Sequence, residues 1–145
     1  MSTDSQLYDE TFTVNLITSG KYERVSRLLC KSLDQTTEMS LDINTELYDV
    51  ATNDELQVVL ASTLNLDGTK DDSKGWKEFA RSGEQSLADM YDYVMRGKIY
   101  RFEAMGEREM LRLYISFGGL LMYIEGPFKK LTSLRIDYVY LLVKK

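Results

Sequence analysis

Histidine is absent from this sequence, and cysteine, proline and tryptophan each occur once. Each scarcity excludes a class of chemistry. Without histidine the chain lacks the side chain most often used as a general base near neutral pH. With Cys30 as the single thiol, neither an internal disulfide nor a zinc site of cysteine–histidine type can be assembled. A lone thiol suits a reducing compartment. With no imidazole to activate it, Cys30 is expected to be buried and inert on a strand. Long apolar runs are also missing. The longest, near Leu120–Ile124, is far shorter than the roughly 20 residues that a membrane-spanning helix needs. Met1–Glu10 is polar and acidic, unlike a signal or transit peptide, so a soluble protein is expected. Basic charge is in the minority, with 18 Lys and Arg against 23 Asp and Glu and a net charge of −5. That balance opposes duplex binding, which needs a positive field, and leaves room only for a local basic patch.

What is present points to strands. The 145 residues fit one domain, 1–145, able to bury roughly two-thirds of its unfolded surface. The ten tyrosines suit half-buried strands and protein interfaces. Period-two alternation recurs from end to end. From Met39 to Leu47 the odd positions are Met39, Leu41, Ile43, Thr45 and Leu47, against Ser40, Asp42, Asn44 and Glu46. From Leu111 to Phe117 an apolar face of Leu111, Leu113, Ile115 and Phe117 opposes Arg112, Tyr114 and Ser116. Phe12, Val14 and Leu16 alternate with polar residues, and Leu56, Val58 and Leu60 continue the pattern. Arg24–Leu33 and Val94–Phe102 read less cleanly, and Gly97 within the latter suggests a bulge or bend. Leu120–Ile124 and Tyr138–Val143 are apolar on both faces, so they are expected to be covered on both sides, by the barrel and by something else.

Turn signals stand between these runs at Ser19-Gly20, Asp34–Thr37, Thr52–Asp54, Met105-Gly106-Glu107 and Gly126-Pro127. About eight short strands with no long helical period read as an all-β antiparallel barrel or sandwich. The leading variant is the Greek-key barrel of the oligonucleotide/oligosaccharide-binding (OB) type. Asn65–Gln85 is polar and aperiodic, and is expected to be a long mobile loop. Trp76 and Phe79 are exceptions within it, and Trp76 is expected either to fold back on the barrel, the preferred reading, or to contact a partner. Ser86-Leu87-Ala88-Asp89 fits a capping box, which predicts a short helix over Leu87–Tyr91.

Few constellations carry chemistry. Asp89 and Asp92 lie three apart and could share a helix face, as a carboxylate pair for metal binding or acid–base work does. A cap plus a solvated acid explains them more simply. Gly118-Gly119 lacks the spacing and the following helix of a phosphate-cradling loop. A bend between strands is its natural role. Tyr93, Arg96, Lys98, Tyr100, Arg101 and Phe102 mix aromatic and basic side chains, the combination that stacks and neutralises single strands. Asp89, Asp92 and Glu103 weaken any positive groove there. A second basic set, Lys129, Lys130, Arg135, Lys144 and Lys145, reads as a solvated rim. No catalytic residue, metal ligand or cofactor-binding residue is expected.

Several strings are distinctive together. They are Ser40-Leu41-Asp42-Ile43-Asn44 with Glu46-Leu47-Tyr48, Leu64-Asn65-Leu66, Ser86-Leu87-Ala88-Asp89, and Tyr91-Asp92-Tyr93-Val94-Met95 with Gly97 and Tyr100. Tyr114 follows, with Ser116-Phe117-Gly118-Gly119-Leu120-Leu121-Met122, then Glu125-Gly126 and Tyr140-Leu141-Leu142 before a basic C-terminus. In this order and spacing the chain, from about Leu7 to Lys145, resembles the small barrel subunit, the eighth-numbered, shared by eukaryotic nuclear RNA polymerases I, II and III. The resemblance implies an OB-type barrel expanded to two antiparallel sheets, with a long loop at 65–85. It also implies no catalytic residue and no cofactor. The place it implies is the nucleus, including the nucleolus, docked on the largest subunit among other polymerase subunits and away from membranes and the catalytic metals. The candidate interface is Ser116, Phe117, Gly118, Gly119, Leu120 and Met122 with Tyr93 and Tyr100. The alternative function is single-stranded nucleic-acid binding by the Tyr93–Phe102 stretch.

Overall fold

Two long strands organise the molecule, and each is shared between two neighbours. In the computed structural model, which describes residues 6–19, 24–64, 87–105 and 109–145, these are β1 (Gln6–Ser19) and β5 (Tyr93–Met105). Around them lie β2 (Val25–Ser32), β3 (Glu38–Asn44), β4 (Glu55–Ala61), β6 (Met110–Phe117), β7 (Leu120–Pro127) and β8 (Tyr138–Lys144). Every pairing is antiparallel, and the order β1-β2-β3-β7-β6-β5-β8-β4 closes when β4 returns to β1. The first half of β1 pairs with β4 and the second half with β2. Likewise β5 pairs with β8 through Tyr93–Lys98 and with β6 through Lys98–Met105. Among the described residues closure leaves no edge strand to recruit a foreign chain. The eight strands and the OB-type barrel agree with the period-two reading.

The alternating residues fill the interior as expected. Phe12, Val14, Leu28, Leu41, Leu56, Val58, Leu60, Ile99, Leu113, Ile115, Ile124 and Leu141 are fully buried in one core. Each such side chain stabilises the fold by roughly 1.5–3 kcal/mol relative to exposure. Cys30 lies in the same core, and burial pushes its thiol up to about 12.

Three local readings change. Leu16 breaks the expected phase of β1, because the register shifts between Val14 and Leu16 and leaves Asn15 without a partner in β2. The bulge turns Leu16 outward and Ile17 toward the core. The run from Met39 ends as a strand at Asn44, so Leu47 stands exposed in the following turn. Gly97 is not the bulge. The β5 register shifts three residues later, between Ile99 and Arg101. Gly97 instead makes room for the Phe117 ring, whose Cδ1 lies 2.4 Å from where a Cβ would sit, with the Ser116 carbonyl oxygen at 2.5 Å.

The short helix forms as a 3-10 turn, Leu87–Met90. Ser86 and the loop 65–85, with Trp76 and Phe79, lie outside the described residues. A second single-turn helix, α1 (Phe128–Leu131), was not expected. Pro127, at φ −58°, precedes it, and Leu131 and Leu134 join the main core. Lys130 secures α1, donating to Glu10 Oε1 at 2.6 Å, Asp34 Oδ2 at 2.6 Å and Thr36 Oγ1 at 2.8 Å.

The second cover over β8 comes from the chain itself. Tyr140 and Leu142 on its outer face pack with Val59, Ala61 and Leu64, and Ala88, Tyr91 and Val94 close over them. A small second core thus accounts for the apolar outer face of β4 and β8 without any foreign surface.

Candidate functional site

The β6–β7 connection is the tightest turn between consecutive strands. Phe117 pairs with Leu120, and Gly118 and Gly119 between them take φ +63° and +108°. Positive φ at both central residues is the hairpin geometry whose twist matches the flanking strands, and glycine adopts it without steric cost. Both glycines are exposed, and a Cβ built at either meets nothing within 4 Å. The Gly118-Gly119 pair therefore serves the strand reversal itself.

Asp42 ties this hairpin to β3. It is buried on the outer side of the sheet, and Arg27 grips it with Nε at 2.7 Å and Nη2 at 3.2 Å. Its Oδ2 also accepts the Leu121 amide at 3.0 Å. A two-pronged guanidinium–carboxylate pair plus a backbone donor satisfies a group that burial alone would penalise.

Beside the turn the outer faces of β5, β6 and β7 carry a band of tyrosines. Across the register, Tyr123 of β7 faces Tyr114 of β6, and Tyr114 faces Arg101 of β5. The β5 bulge sets Tyr100 next to them, with the Tyr100 and Tyr114 ring centroids 6.1 Å apart. Arg112 lies 4.6 Å over the Tyr123 ring and donates to Glu125 Oε1 at 2.7 and 3.0 Å. Its guanidinium pKa is raised, first by the Tyr114 hydroxyl and then by Glu125. Arg101 donates to Glu103 at 2.8 Å. The cations of this band are thus matched by carboxylates, and tyrosines separate the pairs. Leu121 and Tyr100 remain 42% and 45% exposed beside it. Tyrosine and arginine on a neutralised surface are what protein interfaces concentrate.

The structure divides the predicted site residues into two groups. Ser116, Gly118, Gly119, Leu120 and Tyr100 are exposed or half-buried at the hairpin and its flank. Phe117, Met122 and Tyr93 point into the barrel. Tyr93 stacks on Tyr48 at 5.3 Å, accepts the Asn44 amide at 3.3 Å and donates to Met95 Sδ at 3.3 Å. Leu121, Tyr123 and Arg112 belong to this face but stand outside the candidate interface, although Arg112 is in the outward set of its strand. Alternation signals them, since inward Leu120, Met122 and Ile124 require Leu121 and Tyr123 outward. The aromatic–basic stretch of β5 does not gather on one surface. Tyr93 is interior, Phe102 is half-buried against the core, Arg96 and Lys98 lie toward β8, and Tyr100 and Arg101 toward β6.

Of the carboxylate pair, Asp89 lies within the 3-10 turn and Asp92 just after it. Asp92 accepts the Tyr48 hydroxyl at 3.3 Å and the Lys145 amide at 3.2 Å. Burial, and then the Asp92 charge, pushes the Tyr48 phenol up to about 12. Among the described residues no group of three His, Cys, Asp or Glu side chains could hold a metal ion.

The architecture defines the class of protein as a closed barrel of OB type with a band of tyrosines and arginines on an outer face. The family model described as RNA polymerase Rpb8 matches residues 9–145. The chain belongs to the RNA polymerase Rpb8 family, a non-catalytic subunit of DNA-directed RNA polymerase. It is 41% identical to the Saccharomyces cerevisiae "DNA-directed RNA polymerases I, II, and III subunit RPABC3", over 96% of this chain and 97% of that protein. It is 38% identical to the Dictyostelium discoideum subunit of the same description, over 97% and 98% of the two chains. It is 35% identical to "DNA-directed RNA polymerases II, IV and V subunit 8B" of Arabidopsis thaliana, over 100% and 99%.

Proposed function

We propose that this chain is a common subunit of nuclear RNA polymerases I, II and III, docked on the largest subunit, and that it supports transcription by stabilising the assembly. Its place is then the nucleus, including the nucleolus. The observation that carries the docking reading is the exposed Leu121 beside the charge-neutral tyrosine band, next to a turn with open space above both glycines. Tyr100, Ser116, Gly118, Gly119 and the exposed Leu121 form the contact from outside, while Leu120 packs inward against the core. Tyr93, Phe117 and Met122 hold its shape from within the barrel. Apolar and tyrosine side chains at the centre of such a contact are desolvated against the partner, while Arg101–Glu103 and Arg112–Glu125 form its polar rim. The relatives differ in the polymerases they are named for, so the set served by this chain is read from which largest subunits it captures.

Affinity purification of the tagged chain, with identification of the bound polypeptides, tests the reading. The wild type is expected to retain the largest subunits of all three polymerases. Leu121→Glu combined with Tyr100→Glu is expected to reduce that recovery at least tenfold while the isolated variant unfolds at the wild-type temperature. Undiminished recovery with the folded double variant overturns the docking surface. Absence of polymerase subunits from the wild-type sample overturns the function.

A further inference from the structure

Among the described residues the two cations of β5 facing β8, Arg96 and Lys98, have no carboxylate partners, in contrast to Arg101 facing β6. Arg24, Arg27, Lys31, Arg101, Arg112, Lys130 and Lys145 each form an ion pair. Among the described residues no acidic group pairs with Arg96 or Lys98. They stand opposite Tyr140 and Tyr138 of β8 and are exposed. The Arg96 guanidinium lies 4.3 Å from the Tyr138 ring centroid and the Lys98 ammonium 5.5 Å. The neighbouring Asp137 accepts the amide of Tyr138 at 2.7 Å. Tyr138 and Ile136 leave half or more of their surface exposed beside the two cations. In a chain of net charge −5, this is a local positive strip with an apolar border.

We infer that this strip, Arg96, Lys98 and Tyr138, is a second docking site, and that its occupant is an extended acidic segment of a partner polypeptide. Two features fix the chemistry. Arg96 and Lys98 are two residues apart on one strand face, a separation of roughly 7 Å. Alternate Asp or Glu side chains of an extended segment repeat at the same interval, so each cation meets one carboxylate while the residues between them face away. The aromatic content favours a polypeptide over a single-stranded nucleic acid. Arg96 covers one face of Tyr138 and Tyr140 is buried, so the strip lacks the succession of open rings on which single-strand binders stack consecutive bases. The net negative charge also repels a long polyanion, whereas a few carboxylates sense chiefly the field within a Debye length.

The inference rests on the reading of the chain as an assembled subunit, and its test uses the isolated full chain. Three labelled probes are titrated at low and at physiological salt. They are a peptide alternating Glu and Thr, the same peptide with Gln for Glu, and an oligothymidylate. The Glu peptide is expected to bind, to shift the backbone resonances of Arg96, Lys98 and Tyr138, and to weaken with salt, while the Gln peptide does not bind. Arg96→Glu with Lys98→Glu is expected to weaken binding about tenfold or more. Arg96→Gln with Lys98→Gln should lose it to a smaller extent, with unchanged thermal unfolding of both variants. Equal binding by wild type and either folded variant, no binding at low salt, or tighter binding of the oligothymidylate through the same residues overturns it. Failure of the subunit reading shows separately, as absence of polymerase chains from the wild-type purification.

Discussion

Gly97→Ala is the sharpest test of how this barrel closes. The new methyl group would lie 2.4 Å from Phe117 Cδ1, 2.8 Å from Cε1 and 2.5 Å from the Ser116 carbonyl oxygen. These distances are far inside van der Waals contact, and one of the obstacles is backbone. Phe117 is itself buried in the core, so its ring cannot simply swing to solvent. Overpacking of this kind costs about 1–3 kcal/mol, and the fixed carbonyl places the expected loss at the upper end, about 2.5 kcal/mol. An unfolding entropy of about 2.1 cal/mol/K per residue over 145 residues turns that into a Tm lower by about 8 °C. Urea unfolding should show the same loss with an unchanged slope. Phe117→Leu provides the second half of a double-mutant cycle. Alone it is destabilising through lost packing, but it removes the ring atoms that meet the alanine. The double variant should therefore be more stable than the two single losses predict, by about 1 kcal/mol. A Gly97→Ala protein within about 0.5 kcal/mol of wild type, or strict additivity in the cycle, would refute the close approach of β5 and the Phe117 ring.

Three further outcomes follow from local geometry. At the β6–β7 turn, Gly118→Asn should be nearly neutral because asparagine tolerates φ near +63°, whereas Gly119→Val at φ +108° should cost about 1–2 kcal/mol in urea unfolding. The Asp34 carboxylate is held well below the ordinary value of 3.8, first by Lys130, then by Ser32 and by Thr36. A lowered folded-state pKa stabilises above the unfolded value and is lost as pH falls toward the folded one. Wild-type stability should therefore drop from about pH 4 downward, and Asp34→Asn should flatten that part of the profile. Cys30, with its thiol raised to about 12 by burial, should react with a disulfide reagent at pH 8 only at the rate of unfolding. Fast labelling of the folded chain would contradict its place in the core.

The fold was legible because a small closed barrel writes its interior into the sequence with period two. Leu111, Leu113, Ile115 and Phe117 all face inward, and each of the eight strands falls on a run that alternation or apolar content marks. The errors lie where phase or local backbone changes without a compositional sign. Asn15 gives no warning that β1 gains a residue there, so Leu16 is turned outward. Gly97 is a plausible bulge by composition, yet its lack of a side chain serves a ring twenty residues on in the chain. The α1 turn is too short for helical period to register, and only Pro127 ahead of it hints at its start.

The site was legible in its neighbourhood and not in its membership, and the cause is physical. A motif string such as Ser116–Met122 alternates across the barrel wall, so half of any such string is core by necessity. Phe117 and Met122 are distinctive because the interior constrains them, whereas of this string only Ser116, Leu121 and the two turn glycines are left for a partner to touch. The two-faced apolar strand β8 misled in the opposite direction. Its outer residues Tyr140 and Leu142 are consumed by the chain's own second core, so apolar content there says little about partners. Charge distinguishes the two remaining surfaces. On the β6 side Arg101 and Arg112 are neutralised within the chain, which suits a contact built on tyrosine and leucine. On the β8 side Arg96 and Lys98 have no such partners among the described residues and lie beside exposed Tyr138. A surface whose charges are already paired gains little from an ionic partner, and one with bare cations gains from nothing else as much. The two ends of the outer face of β5 should therefore respond to opposite perturbations. Recovery of the assembly through the β6 side should resist salt, while binding at the β8 side should fall steeply with it.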